Sequence, residues 1–216
     1  MKKIVEIKKD NKKNVIKKVF VNLITGIRAA GTIAIIPIFT NFGYFTAGLT
    51  AILFFLTDFI DGQLARRMHV QSFFGSLLDG LSDKAFGIVC LLLLSLENPM
   101  FLTIIASEIA ILAVNYHSIQ KGNNAKSSMQ GKVKTCFLSA AIVGSLFAYG
   151  APTLKEVLNF SKVGLLDKML NINPNIITTC IAVPALASSL YVLYDYTKKS
   201  KEADKKREFE EEKRIK

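Results

Sequence analysis

Four aspartates, Asp58, Asp61, Asp79 and Asp83, fall between positions 58 and 83 of a stretch otherwise apolar enough to lie in a membrane. An acid inside hydrocarbon is costly, so a cluster of four marks a functional site. Asp58, Asp61, Gly62 and Ala65 follow at i, i+3, i+4 and i+7, which puts them on one helical face. Gly75, Asp79 and Asp83 step by four, again along one face. Four carboxylates packed together could not all stay ionised without cations. Arg66 is a single charge, and Lys84 falls elsewhere on its helix. Oxygen-only donors suit hard divalent ions, so one or two Mg²⁺ or Mn²⁺ ions are expected. Gly62 and Ala65 leave the surface between the acids bare, which suits either a close helix neighbour or a flat ligand against the backbone.

The elements that must carry these acids are membrane helices. Half of the 216 residues are hydrophobic and the mean hydropathy is +0.33, which excludes an ordinary soluble domain. The fold expected is all-α: a polytopic membrane protein with six transmembrane helices, preceded by an interfacial amphipathic helix. Spans of the length needed to cross about 30 Å of hydrocarbon run roughly over 27–42, 45–64, 76–96, 100–119, 133–149 and 176–194. Pro37 predicts a tilt or kink in the first. Asn41-Phe42-Gly43 and Glu97-Asn98-Pro99 read as tight connections. Before them, residues 14–24 repeat apolar side chains at helical spacing with Lys17 and Lys18 opposite, as in a helix lying on a membrane surface. The organisation is thus a basic tail (1–13), a membrane domain (14–197) and a charged solvated tail (198–216).

The net charge of +11 is concentrated at the two ends. These lysine runs lack interleaved aromatic residues, so anionic lipid head groups rather than nucleic acid are their expected partners. Arg66, Arg67, Lys121, Lys126, Lys132 and Lys134 fall on the same side as both termini in a six-span topology. The positive-inside bias therefore makes that side, with the Asp cluster, cytoplasmic. Cys90, Cys136 and Cys180 sit in apolar runs without paired spacing and read as buried small hydrophobes.

The run Asp58-x2-Asp61-Gly62-x2-Ala65-Arg66-x8-Gly75-x3-Asp79-x3-Asp83 resembles the signature of the CDP-alcohol phosphatidyltransferases, every fixed position being satisfied. Asn22-x2-Thr25-x2-Arg28, entering the first span, extends the resemblance. It implies an integral enzyme of the bacterial cell membrane, working as a homodimer, that moves a phosphatidyl group from CDP-diacylglycerol to an alcohol and releases CMP. It also implies two ions: Asp58, Asp61 and Asp79 would hold one, and Asp61, Asp79 and Asp83 would help hold the other. Asp83 would double as the general base. Gly62, Ala65, Arg66 and Gly75 would line the cytidine diphosphate pocket, with Asn22, Thr25 and Arg28 nearby.

For the acceptor, Gly131-Lys132-Val133-Lys134-Thr135 resembles the segment that marks glycerol 3-phosphate users in that family. Lysines at i and i+2 beside a helix N-terminus can grip a phosphate; they also simply obey the positive-inside bias. Two departures bear on the acceptor: the familiar Arg-Glu pair is Ser107-Glu108 here, and the usual Asp-Pro is Asp79-Gly80. Cardiolipin synthesis, or transfer to inositol phosphate or serine, stays open. A cation transporter is the rival class, but transporters favour midplane sites and paired repeats. The chain shows no internal repeat, and its acids lie close to one membrane face.

Overall fold

A computed structural model describes residues 26, 30–57, 73–120, 129–153 and 172–215, with backbone alone at 73–81, 119 and 206–215. Among the described residues there is no strand; the elements are α1 (Ala30–Thr57), α2 (Phe73–Ser95), α3 (Met100–Gln120), α4 (Met129–Tyr149) and α5 (Pro174–Ile215). The surface-helix reading of 14–24 lies outside the described residues. The protein divides into two compact units, 1–90 with 149–161, and 91–148 with 162–216.

In the first unit, α1 is not a straight rod. A straight helix would hold Gly31 and Phe54 about 34 Å apart, at 1.5 Å per residue. A Cβ built on Gly31 would instead sit 3.2 Å from the Phe54 ring. The run therefore folds back at Gly43, whose φ of 77° only glycine adopts readily. The sequence expected a connection at that point. The end of the first arm is tied off by Asn41 Nδ2 and Thr40 Oγ1, which donate to the Pro37 carbonyl at 2.8 and 3.2 Å. Thr46, Thr50 and Thr57 likewise turn their hydroxyls onto carbonyls of their own helix, as hydrocarbon surroundings demand. Phe54 stacks on Phe86 of α2 with ring centroids 3.6 Å apart. Tyr44 packs against Tyr149 at 5.2 Å, and a Cβ on Gly150 would strike the Phe45 backbone nitrogen at 2.7 Å.

In the second unit, α3 packs against α5. Both begin with Asn-Pro. Asn98 Oδ1 accepts the Met100 amide at 3.1 Å, and Asn173 Oδ1 accepts the Asn175 amide at 2.9 Å. Each is an N-cap followed by a proline whose missing N–H would have had no intrahelical partner. Asn98 also reaches α5, donating through Nδ2 to Thr179 at 2.9 Å and Thr178 at 3.3 Å. Where α4 meets α5, Gly144 faces Ile181, and its missing side chain lets the helices close up.

The outer surface is the apolar one: Ile33, Leu53, Phe137, Val183 and Leu190 are exposed, whereas Glu108 and Lys134 are buried. Together with four helices long and apolar enough to cross a bilayer among the described residues, this makes the chain an integral membrane protein. The count differs from the six spans expected. α1 supplies two arms within one helical run, and the arm expected to reach residue 64 is described only to Thr57. Two expected cysteine positions also differ. Cys90 is buried, but Cys136 and Cys180 are exposed, on helices whose outer faces are apolar. The charged tail continues α5 as helix to Ile215. Its charges alternate in sign at helical spacing, as in Lys199 donating to Asp195 at 2.6 Å, and such i, i+4 pairs sustain a solvated helix.

Candidate functional site

Of the aspartates expected to act together, α2 carries Asp79 and Asp83, with Gly75 one turn earlier. Residues four apart on a continuous helix share a face, so the helix itself aligns this glycine and these two acids. The Asp83 side chain is partly exposed. Asp58, Asp61, Gly62, Ala65 and Arg66 lie outside the described residues, as do Asn22, Thr25 and Arg28. What is described up to their edge is the helix that leads to them. Phe54, four residues before Asp58 in the chain, stacks on Phe86, three residues after Asp83, and Phe55 meets the same ring edge-on at 5.6 Å.

Among the described residues no group of three His, Cys, Asp or Glu side chains comes together; the other acids of the set are not among those described. The donor chemistry still decides what would fit. Carboxylate oxygens without nitrogen or sulfur partners suit a hard divalent cation and disfavour a soft one.

A second polar cluster lies in the apolar interior of the second unit. Lys134 Nζ donates to both carboxylate oxygens of Glu108, at 2.7 and 2.6 Å, and Ser189 Oγ donates to Glu108 Oε1 at 3.1 Å. Both charged residues are more than nine-tenths buried, at 7% and 6% exposure. Pairing offsets the cost of burying an acid and a base together, and the Ser189 hydroxyl adds a further hydrogen bond to the carboxylate. One turn earlier on α4, Gln130 Nε2 donates to Tyr191 Oη at 3.2 Å. The sequence reading did not single out Gln130, Ser189 or Tyr191. Ser189 and Tyr191 lie in an apolar run that reads as plain membrane helix, and no spacing rule reaches across α3, α4 and α5.

This cluster changes how the Gly131–Thr135 segment works. α4 starts at Met129, before the expected Val133, so both lysines are inside the helix. Residues two apart on a helix point about 200° from each other. Lys132 is accordingly exposed, as is Thr135, whose hydroxyl donates to the Gly131 carbonyl at 2.9 Å. Lys134 turns inward to Glu108. The pair does not present two ammonium groups on one face.

Residues 18–166 match the family profile described as CDP-alcohol phosphatidyltransferase. The chain is also similar to proteins named CDP-diacylglycerol--glycerol-3-phosphate 3-phosphatidyltransferase. That of Aquifex aeolicus is 30% identical over 128 residues, covering 55% of this chain and 72% of the relative. That of Haemophilus influenzae is 31% identical over 112 residues, covering 47% and 60%. That of Pseudomonas fluorescens is 36% identical over 96 residues, covering 41% and 47%. The matched stretch thus spans between about half and about three quarters of these relatives.

Proposed function

Because the chain belongs to the CDP-alcohol phosphatidyltransferase family, we propose that it transfers a phosphatidyl group from CDP-diacylglycerol to glycerol 3-phosphate, releasing CMP. The observation that carries this reading is the alignment of Gly75, Asp79 and Asp83 on one face of α2, inside the matched stretch. The names of the relatives support glycerol 3-phosphate as acceptor.

In the proposed reaction Asp83 takes the proton of the acceptor hydroxyl. The freed oxygen pair forms a bond to the phosphorus of the phosphatidyl group, and the bond from that phosphorus to CMP breaks. Phosphoryl transfer is mainly a matter of position and neutralised charge. Asp58, Asp61 and Asp79, with Asp83 joining the second set, would hold two divalent ions, Mg²⁺ or Mn²⁺. Bound there, such ions would neutralise phosphate oxygens and the leaving CMP. The family as a whole depends on divalent metals.

Gly62, Ala65, Arg66 and Gly75, with Asn22, Thr25 and Arg28, take the cytidine diphosphate in this reading. Lys132 and Thr135, exposed at the start of α4, take the acceptor's phosphate. Lys134, expected to share that task, is instead held in the interior by Glu108. Both chain ends and the Asp cluster are placed on the cytoplasmic side, where a water-soluble acceptor can meet a lipid donor.

One observation favours a second acceptor class. Glu108 neutralises Lys134, and serine occupies position 107, which leaves less positive charge for a phosphate than the lysine count suggests. The test for both readings is CMP release from CDP-diacylglycerol by the purified protein across a panel of alcohols, with lipid products identified by mass spectrometry. Phosphatidylglycerophosphate as the main product is the expected outcome. CMP released only with another alcohol refutes the acceptor, and none released with any alcohol refutes the transferase reading.

A further inference from the structure

Helix α5 is apolar, then aromatic, then cationic along a single exposed face. Val183, Leu190, Tyr191, Tyr194, Lys198 and Lys201 fall within about 100° of one another around its axis. Each of them is exposed, Tyr194 to 68%. Ala182, Ala185, Ser189 and Val192, on the other side of the same helix, are buried. The helix runs on from Pro174 to Ile215 without a break where its apolar part ends, so depth in the bilayer is set along it by rise alone.

From Val183 to Tyr194 the helix climbs about 16 Å, which matches the hydrocarbon of one leaflet at about 15 Å. Tyrosine settles at that boundary, its ring among the chains and its hydroxyl among the head groups. Lys198 and Lys201 stand about 6 Å and about 10 Å further out, beside a head-group layer about 5–8 Å deep. Side chains on a helix lean towards its N-terminus, so both ammonium groups reach back to that layer. Among the described residues no carboxylate pairs with either. Lys199, about 100° round the helix, differs: it donates to Asp195 at 2.6 Å.

We infer that this face of α5 binds an anionic phospholipid. The lipid's chains lie along Val183 and Leu190, its glycerol backbone meets Tyr191 and Tyr194, and its phosphate sits beside Lys198 and Lys201. The sequence alone expects the terminal lysines to meet anionic head groups in general. The helix selects two of them and adds the apolar strip that a whole lipid needs, which a free phosphate would leave uncovered. A second copy of the chain fits worse: inserted in the same orientation, it would set Lys198 and Lys201 against their own counterparts. The site uses none of the acids of α2 and stands apart from the proposed transfer reaction.

The test offers the full-length protein, in neutral detergent, phosphatidylglycerol and phosphatidylcholine with the same acyl chains, and counts retained lipid by native mass spectrometry. The wild type is expected to favour phosphatidylglycerol by about tenfold. A lysine near an anionic surface contributes about fivefold, so Lys198→Gln should weaken phosphatidylglycerol retention by about that factor. Adding Lys201→Gln should bring the loss to about tenfold or more, with phosphatidylcholine unchanged. Lys199→Gln removes the same charge at nearly the same depth and should change retention by less than about twofold.

Equal retention of the two lipids by the wild type overturns the inference. Equal losses in the Lys198 and Lys199 variants overturn it too, because the overall charge of the tail, rather than one face, would then account for binding. A second copy is tested through Cys180, which is exposed on the same face; Cys136→Ser leaves it the one exposed cysteine. Oxidation in vesicles of equal phosphatidylglycerol and phosphatidylcholine should give no Cys180-linked dimer. Efficient linkage would mean that another copy, and not a lipid, covers the face.

Discussion

The protein keeps acids in its membrane helices in two ways. On α2 positions 79 and 83 fall four residues apart on one helix, and the sequence between positions 58 and 83 carries more acids than bases. In the second unit Glu108 has its own base, Lys134, at 2.6 Å, with Ser189 completing the set. The first arrangement gathers acids close together along the sequence, and the second pairs one acid with one base through space. An acid whose counter-charge must come from solution can be a site, because its balance changes with what is bound. An acid balanced by the chain is a fastening, and it can at most present its partner to something else.

The comparison breaks most sharply under chelation. Excess chelator should remove CMP release almost entirely, and added Mg²⁺ or Mn²⁺ should restore it, while the Glu108–Lys134 pair and the fold stay as they are. Activity that persists in chelator would refute the metal role proposed for the α2 acids. Next in size is Asp83→Asn, which keeps shape and removes the proposed base. CMP release should fall by about 10²–10⁴-fold, the contribution usual for a positioned acid or base, with little change in the thermal midpoint. A stable variant with near-normal turnover would reject the assignment.

The internal pair should answer differently, through stability. Glu108→Gln leaves the Lys134 charge buried without its counter-charge, at a cost of about 3–5 kcal/mol. Combining it with Lys134→Met removes both charges and should recover much of that loss. Thermal or denaturant unfolding in detergent, run as a double-mutant cycle, measures the coupling. Additive losses would mean that the two residues do not act as a pair.

The two regions also differed in how far the chain alone disclosed them. Asp79 and Asp83 were readable because a single helix sets their relation, and a spacing of four is all that is needed. The reversal at Gly43 was equally local, an Asn-Phe-Gly run where one residue must take a positive φ. The Glu108–Lys134–Ser189 cluster was not legible, since it joins α3, α4 and α5, and their relative rotation appears in no local pattern. The orientation of Lys132 relative to Lys134 was hidden for a related reason. Its reading assumed that α4 began at Val133, and a start at Met129 turns the two side chains to opposite sides. Element boundaries, more than element types, decided what the sequence could say about the acceptor.

The smallest expected effect comes at Asn98, which combines a cap with a link between helices. Asn98→Ala removes the bond to the Met100 amide and both contacts with Thr178 and Thr179. A lost N-cap costs about 1 kcal/mol, and a lost neutral hydrogen bond a similar amount, so the unfolding free energy should drop by about 1–2 kcal/mol. Asn98→Asp separates the two roles. The carboxylate still caps α3 but has no N–H to give; the threonine hydroxyls would have to turn and donate to it instead. If the aspartate variant matches wild type, the cap carries the effect. If it falls to the level of alanine, the link to α5 does. In neither case should metal dependence or the preference among acceptors change, because the bonds Asn98 makes go to Met100, Thr178 and Thr179. A shift in either would show that the fastening and the site are coupled after all.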